Sequence, residues 1–106
     1  MARVLIQMPS SARRGEVIEL RVTIAHPMET GYRPGADGQP LPRNVLNHFS
    51  CHYNGELVIH AELYPSIAAN PHLAFHTMAT DSGTLTFEWR GEHGFAHVER
   101  RELRVT

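Results

Sequence analysis

Residues 45–64 read VLNHFSCHYNGELVIHAELY. From Val45 to Tyr53 the side chains alternate, with Val45, Phe49, Cys51 and Tyr53 on one side and His48, Ser50 and His52 on the other. This is the period of a strand that lays one face on a core. Asn54-Gly55 follows, a pair that accepts positive φ at both central positions of a type I′ turn. Glu56 to Tyr64 then returns as the partner strand, with Leu57, Ile59, Ala61 and Leu63 expected inside and His60 and Glu62 outside.

The flanks repeat this grammar. Arg3 to Met8 reads as a first strand, closed by Pro9. In Glu16 to Ala25 the apolar Ile18, Leu20, Val22 and Ile24 alternate with Glu19, Arg21 and Thr23. Pro65 to His72 is a connection with room for one helical turn, and Leu73 to Thr80 is the next strand. Asp81-Ser82-Gly83 turns into Thr84 to Arg90, Gly91 to Gly94 closes another hairpin, and Phe95 to Thr106 is last. In that strand the apolar phase slips from Ala96 and Val98 to Leu103 and Val105, which predicts a bulge between Glu99 and Glu102. Seven short strands at this spacing predict an all-β chain, an immunoglobulin-like or fibronectin-type antiparallel sandwich, as a single domain over 1–106.

One stretch breaks the pattern. Between Pro27 and Pro42 lie Pro27, Pro34, Pro40 and Pro42 with Gly31, Gly35 and Gly38, which exclude a helix or a central strand. A connection this long inside a compact domain is ordinarily functional or disordered. Met28, Tyr32, Val45 and Leu46 provide apolar side chains to pin it, so an ordered recognition loop is expected, mounted on the sandwich. Aromatic residues, Met and Arg are enriched at protein contacts, and the candidate partner-interface residues are accordingly His26, Met28, Tyr32, Arg33 and Arg43.

Composition narrows the function. The 106 residues carry a formal net charge of −1, all ten basic side chains other than His are arginines, and the charges are scattered. Nucleic acid and membrane surfaces need a concentrated basic face, so neither is an expected partner. No apolar run reaches the roughly 20 residues of a membrane-spanning helix. The start, MARVLIQMPSSARRGE, lacks the apolar core of a signal peptide, so by residues alone the expected compartment is the cytoplasm.

Eight histidines raise the question of a metal. His48, His52 and His60 fall on the outward face of one expected hairpin, while His76 with Met78 and His26 with Met28 lie two apart. A blue-copper site would need Cys, a second His and Met clustered on one late loop. Here the only cysteine, Cys51, sits mid-strand with no methionine beside it. The histidines are read as surface residues on polar faces, with no metal and no cofactor expected. Cys51 shares a face with Phe49 and Tyr53, as a small buried hydrophobe does, and no G-x-S-x-G, H-E-x-x-H or phosphate-loop motif occurs. The chain is not expected to be an enzyme. A small periplasmic metal-binding or electron-transfer module is the alternative reading.

Four runs are distinctive: HPMETG at 26–31, DGQPLPRN at 37–44, FSCHYNG at 49–55 and AANPHLAF at 68–75. In this order, over essentially the whole chain, the sequence resembles the SoxZ family, the partner subunits of the thiosulfate-oxidising Sox system. The resemblance implies an immunoglobulin-like sandwich that pairs with SoxY, whose Gly-rich C-terminal arm carries sulfur intermediates on a cysteine. It further implies transient contacts with the cytochrome, hydrolase and dehydrogenase components. Location would be the periplasm, reached by export bound to a SoxY partner that bears the signal peptide. The chain closes on Arg101-Glu102-Leu103-Arg104-Val105-Thr106 rather than on a Gly-rich cysteine tail, so the carrier role is expected of the partner and not of Cys51.

Overall fold

The computed structural model describes residues 3–64 and 67–106. Eight strands run in order: β1 (Val4–Gln7), β2 (Ser11–Ala12), β3 (Val17–Ile24), β4 (Leu46–Tyr53), β5 (Glu56–Glu62), β6 (His72–Met78), β7 (Gly83–Gly91) and β8 (Ala96–Val105). They form a three-stranded sheet, β1-β3-β6, and a five-stranded sheet, β2-β8-β7-β4-β5. The seven expected strands are all present. The eighth, β2, is two residues long and pairs parallel to the end of β8; so short a segment has no period to read. One helical turn was expected within 65–72; residues 67–71 carry none and His72 already belongs to β6, while residues 65 and 66 lie outside the described residues.

The alternating positions build the core. Ile18, Leu20, Val22 and Ile24 of β3 face Phe49, Cys51 and Tyr53 of β4 and Leu85, Phe87 and Trp89 of β7, all buried. Phe49 joins the two sheets through its ring, 5.1 Å from Trp89 in its own sheet and 5.9 Å from Phe75 in the other, at the separations that aromatic pairs favour. Asn54 and Gly55 take φ of 50° and 84°, as the type I′ turn requires.

Two expectations need correction. Leu57 is exposed, not inside, because the β4–β5 register shifts between Cys51 and His52, so that Ile59 faces Cys51 while Leu57 faces His52. The extra residue, Val58, turns toward the core in its place. A bulge was expected in β8 between Glu99 and Glu102, but β8 pairs with β7 in unbroken register from Ala96 to Leu103. Ala96 and Val98 point outward, and the line that continues Leu103 inward is His97, Glu99 and Arg101, opposite Trp89, Phe87 and Leu85. This polar row is satisfied internally: Glu99 lies 2.8 Å from His97 Nε2 and 3.0 Å from Arg101 Nη1. Hydrogen bonds from Arg101, then His97, hold the Glu99 carboxyl below its ordinary pKa.

The molecule is long for its size. Its radius of gyration is 16.2 Å and its extents are 57 × 22 × 19 Å, against about 13 Å for a compact domain of this length. An eight-residue strand spans only about 27 Å. A hairpin-like ribbon between β3 and β4 extends the chain beyond the sandwich.

Candidate functional site

Residues 29–44 are ordered as an antiparallel finger. Glu29 and Asn44 exchange N–H···O bonds of 2.7 Å in both directions; further out, the N–H of Leu41 donates to the Arg33 carbonyl (2.8 Å) and that of Gly35 to the Gln39 carbonyl (2.6 Å). Pro34 and Pro40 bridge between these rungs. Prolines cannot donate, so the rungs are few and the finger reads as loop in the sequence. Near its tip, Asp37 Oδ1 accepts the Gln39 N–H at 3.0 Å. Gly31, with φ of 90°, lets the two arms approach, since a Cβ there would sit 3.3 Å from Arg43 Cβ.

The base of the finger is a clasp centred on His26. This imidazole is 4% exposed. Its Nδ1 accepts the Met28 N–H at 3.0 Å, which places the ring proton on Nε2. Its backbone N–H donates to Asn70 Oδ1 at 2.9 Å, and its carbonyl accepts the Asn70 N–H at 2.7 Å. Phe95 meets the ring edge-on with centroids 5.4 Å apart. Nε2 and Asn44 Oδ1 are both buried without a hydrogen bond of good geometry. Burial holds the imidazole below its ordinary pKa, against a smaller opposing effect of the Asn44 side chain. Met28 adopts φ of 49°, unusual for a residue with a side chain, and its buried sulfur accepts the Leu46 N–H at 3.2 Å. The HPM triplet is thus a structural knuckle that turns β3 into the finger and locks it to the start of β4.

The structure divides the five predicted interface residues. His26 and Met28 are 4% and 5% exposed; they offer no surface to a partner and instead hold the base. Tyr32, on the finger, is 88% exposed. Arg33 reaches solvent while donating to Glu29 at 2.8 and 3.1 Å. Arg43 Nε lies 2.9 Å from Glu92, whose other carboxylate oxygen accepts the Val45 N–H at 3.0 Å. His93 adds a contact to the Arg43 carbonyl. A shallow, mainly apolar recess runs beneath the finger, lined by Pro27, Leu41, Pro42 and His93. Sequence reasoning missed Asn44, Asn70, Glu92 and Phe95, which complete the clasp. Asn44 and Asn70 belong to the DGQPLPRN and AANPHLAF runs, but nothing local pairs any of the four: Asn70, Glu92 and Phe95 reach partners more than forty positions away, and Asn44 pairs with Glu29 fifteen positions back.

Of the histidines, His48 and His60 come together, with Nδ1 and Nε2 2.9 Å apart. His52 remains on the same face but outside that contact, and His76 Nε2 lies 3.5 Å from Glu19 on the other sheet. Among the described residues no three His, Cys, Asp or Glu side chains form a group able to hold a metal ion. Cys51 is fully buried and its thiol is pushed up to about 12 by burial. A thiol held there is neither ionised near neutral pH nor reachable, so it cannot act as a nucleophile or carry a covalent group.

Solved structures locate the fold. The chain superposes on superoxide reductase (neelaredoxin) from Ignicoccus hospitalis with a TM-score of 0.70 at 16% identity, covering 97% of this chain and 80% of that one. On the sulfur carrier protein SoxY from Chlorobium limicola f thiosulfatophilum the TM-score is 0.68 at 16% identity, with 97% and 78% covered. The CARDB domain of a Pyrococcus furiosus protein, solved in complex with di-metal ions, follows at 0.54 and 11%, covering 100% of this chain and 94% of that chain. At such identities the likeness is one of fold: an immunoglobulin-like sandwich. No curated protein matches the sequence. The family described as sulphur oxidation protein SoxZ matches residues 6–102, nearly the whole chain, and the protein belongs to the SoxZ family.

Proposed function

We propose that this protein is the non-catalytic half of a sulfur-carrier complex of thiosulfate oxidation. It binds a SoxY-type subunit whose C-terminal cysteine arm carries covalent sulfur intermediates, and it helps present that arm to the Sox cytochrome, hydrolase and dehydrogenase components. Family membership supports the setting. The observation that carries the reading is the finger: a projecting ribbon, anchored by a buried clasp, with Tyr32 88% exposed and Arg33 beside it. A rigid mount of this kind favours a tethered substrate, because effective concentration at each enzyme depends on how well the base of the tether is held. The inaccessible Cys51 leaves the covalent chemistry to the partner. The working compartment in this reading is the periplasm, reached in company with the SoxY subunit.

The test is co-expression with the SoxY-type chain of the same organism, size-exclusion chromatography and intact mass before and after exposure to thiosulfate and the other Sox proteins. Co-elution with mass increments on the partner alone is expected. Separate elution, or a sulfur adduct on this chain, would remove the proposal. Replacing Tyr32 and Arg33 together by Ala should weaken the complex or slow turnover by at least one Sox enzyme while the isolated domain stays folded. Unchanged affinity and unchanged turnover would take the finger out of the account.

A further inference from the structure

On the outer face of the five-stranded sheet, next to the base of the finger, two imidazoles meet. Register sets His60 opposite Ser50 and Glu62 opposite His48, so the two rings are diagonal neighbours across β4 and β5. His48 Nδ1 and His60 Nε2 are 2.9 Å apart; the ring centroids are 4.5 Å apart and the planes are inclined by 53°. Two rings strung end to end along a contact of that length would have centroids about 5.2 Å apart. The shorter separation means that the rings lean off the N···N line, so the hydrogen bond between them is bent.

It is a good arrangement for a chelate. A metal ion about 2.05 Å from each imidazole nitrogen, with the right-angled bite of a tetragonal site, holds the nitrogens about 2.9 Å and the centroids about 4.5 Å apart. A tetrahedral bite would spread the nitrogens to about 3.3 Å. We propose that His48 Nδ1 and His60 Nε2 form a two-point site for a divalent transition-metal ion, with the geometry that suits Cu(II) or Ni(II). In the metal-free pair one of the two facing nitrogens carries a proton. Binding moves that proton to the other nitrogen of the same ring through solvent, which reaches the exposed His60. The ion would sit at a recess lined also by Asn47, Glu62, Tyr64, Arg43 and Glu92. No third His, Cys, Asp or Glu among the described residues completes a ligand group, so the remaining coordination positions belong to water or an incoming ligand and the ion exchanges readily.

This inference is independent of the proposed carrier role, and it is tested on the untagged full chain. Cu(II) is titrated at pH 7.5 by calorimetry and by the fluorescence of Trp89, the single tryptophan, which neighbours Arg90, the residue in register with His48. One saturable equivalent is expected, with a tetragonal electron paramagnetic resonance signal from two imidazole nitrogens. His48→Gln and His60→Gln should each weaken it by at least about tenfold, the scale on which even outer-shell changes act, while His76→Gln leaves it unchanged. Far-ultraviolet circular dichroism checks that the variants keep their fold. Absence of binding, binding unaltered in both His48→Gln and His60→Gln, or a signal from a single imidazole would each overturn the site.

Discussion

Strand β4 is entered from one ribbon and left through another, and the two are built on opposite plans. Leaving β4, the chain reverses in two residues, Asn54 and Gly55, both with positive φ; Asn54 Oδ1 then accepts the Thr84 N–H at 2.9 Å. Entering it, the chain travels along the sixteen residues of 29–44, cross-linked by few rungs and secured by side chains from three separate loops. The short turn needs little help to close, because its two residues carry the backbone preference for it, and Thr84 only ties it to β7. The finger needs more, since its prolines withhold donors and its order depends on His26, Asn70, Phe95 and Glu92. One consequence is that stability should be unevenly distributed, with the tight turn sharing the fate of the core and the finger opening on its own.

The largest expected effect removes what both ribbons stand on. Phe49→Ala deletes the ring that joins the sheets and should cost about 3–5 kcal/mol, measured by urea unfolding; Asn54 and Asn44 amides should lose protection from hydrogen exchange together. A loss below about 1 kcal/mol would mean that the sheets are held elsewhere. His26→Ala should separate the two ribbons. Leaving the Met28 N–H without its acceptor and opening a cavity should cost about 1–3 kcal/mol, with exchange at Met28, Glu29 and Asn44 accelerated while Asn54 and Thr84 keep their protection. Uniform acceleration would show that the clasp and the core are one unit.

The converse experiment is Gly55→Ala, which forces a side chain into φ of 84° and should cost about 1 kcal/mol. Here the exchange of Asn54 and Thr84 should rise and that of the finger should not. The smallest effect is set by pH. The unfolded chain binds a proton at His26 near 6.5, whereas burial lowers the folded value. The unfolded state therefore holds more protons in that window, and stability is complete above about 6.5 and declines as pH falls below it toward the folded pKa. Exchange at Glu29 and Asn44, corrected for intrinsic rates, should increase at pH 5 relative to pH 7.5, and His26→Gln should flatten the difference. A slope that persists in that variant would assign the effect to another histidine.

How far residues predict structure follows the same divide. The strands of the sandwich were legible because Ile18, Leu20, Val22 and Ile24, or Leu85, Phe87 and Trp89, repeat the side-chain period of a pleated backbone, and the Asn-Gly turn because two residues carry the whole constraint. Leu57 and the β8 bulge misled for a shared reason. Alternation tells which residues share a face, but a register shift opposite Cys51 and an inward ionic row at Glu99 depend on the neighbouring strand. Among the site residues, the exposure of Tyr32 and the buried role of His26 looked alike in the sequence, where both belong to one Pro-rich loop.

By itself, then, the sequence determined the strands other than β2, the tight turn, the burial of Cys51 and the family, since each rests on local periodicity, on backbone preference or on motifs read in order. Only the tertiary structure decided that the Pro-rich stretch is a clasped finger, that the HPM triplet is its knuckle, and that His48 meets His60. Those features arise where segments distant in the chain supply the missing hydrogen-bond partner or the facing ring. No local rule encodes such a meeting.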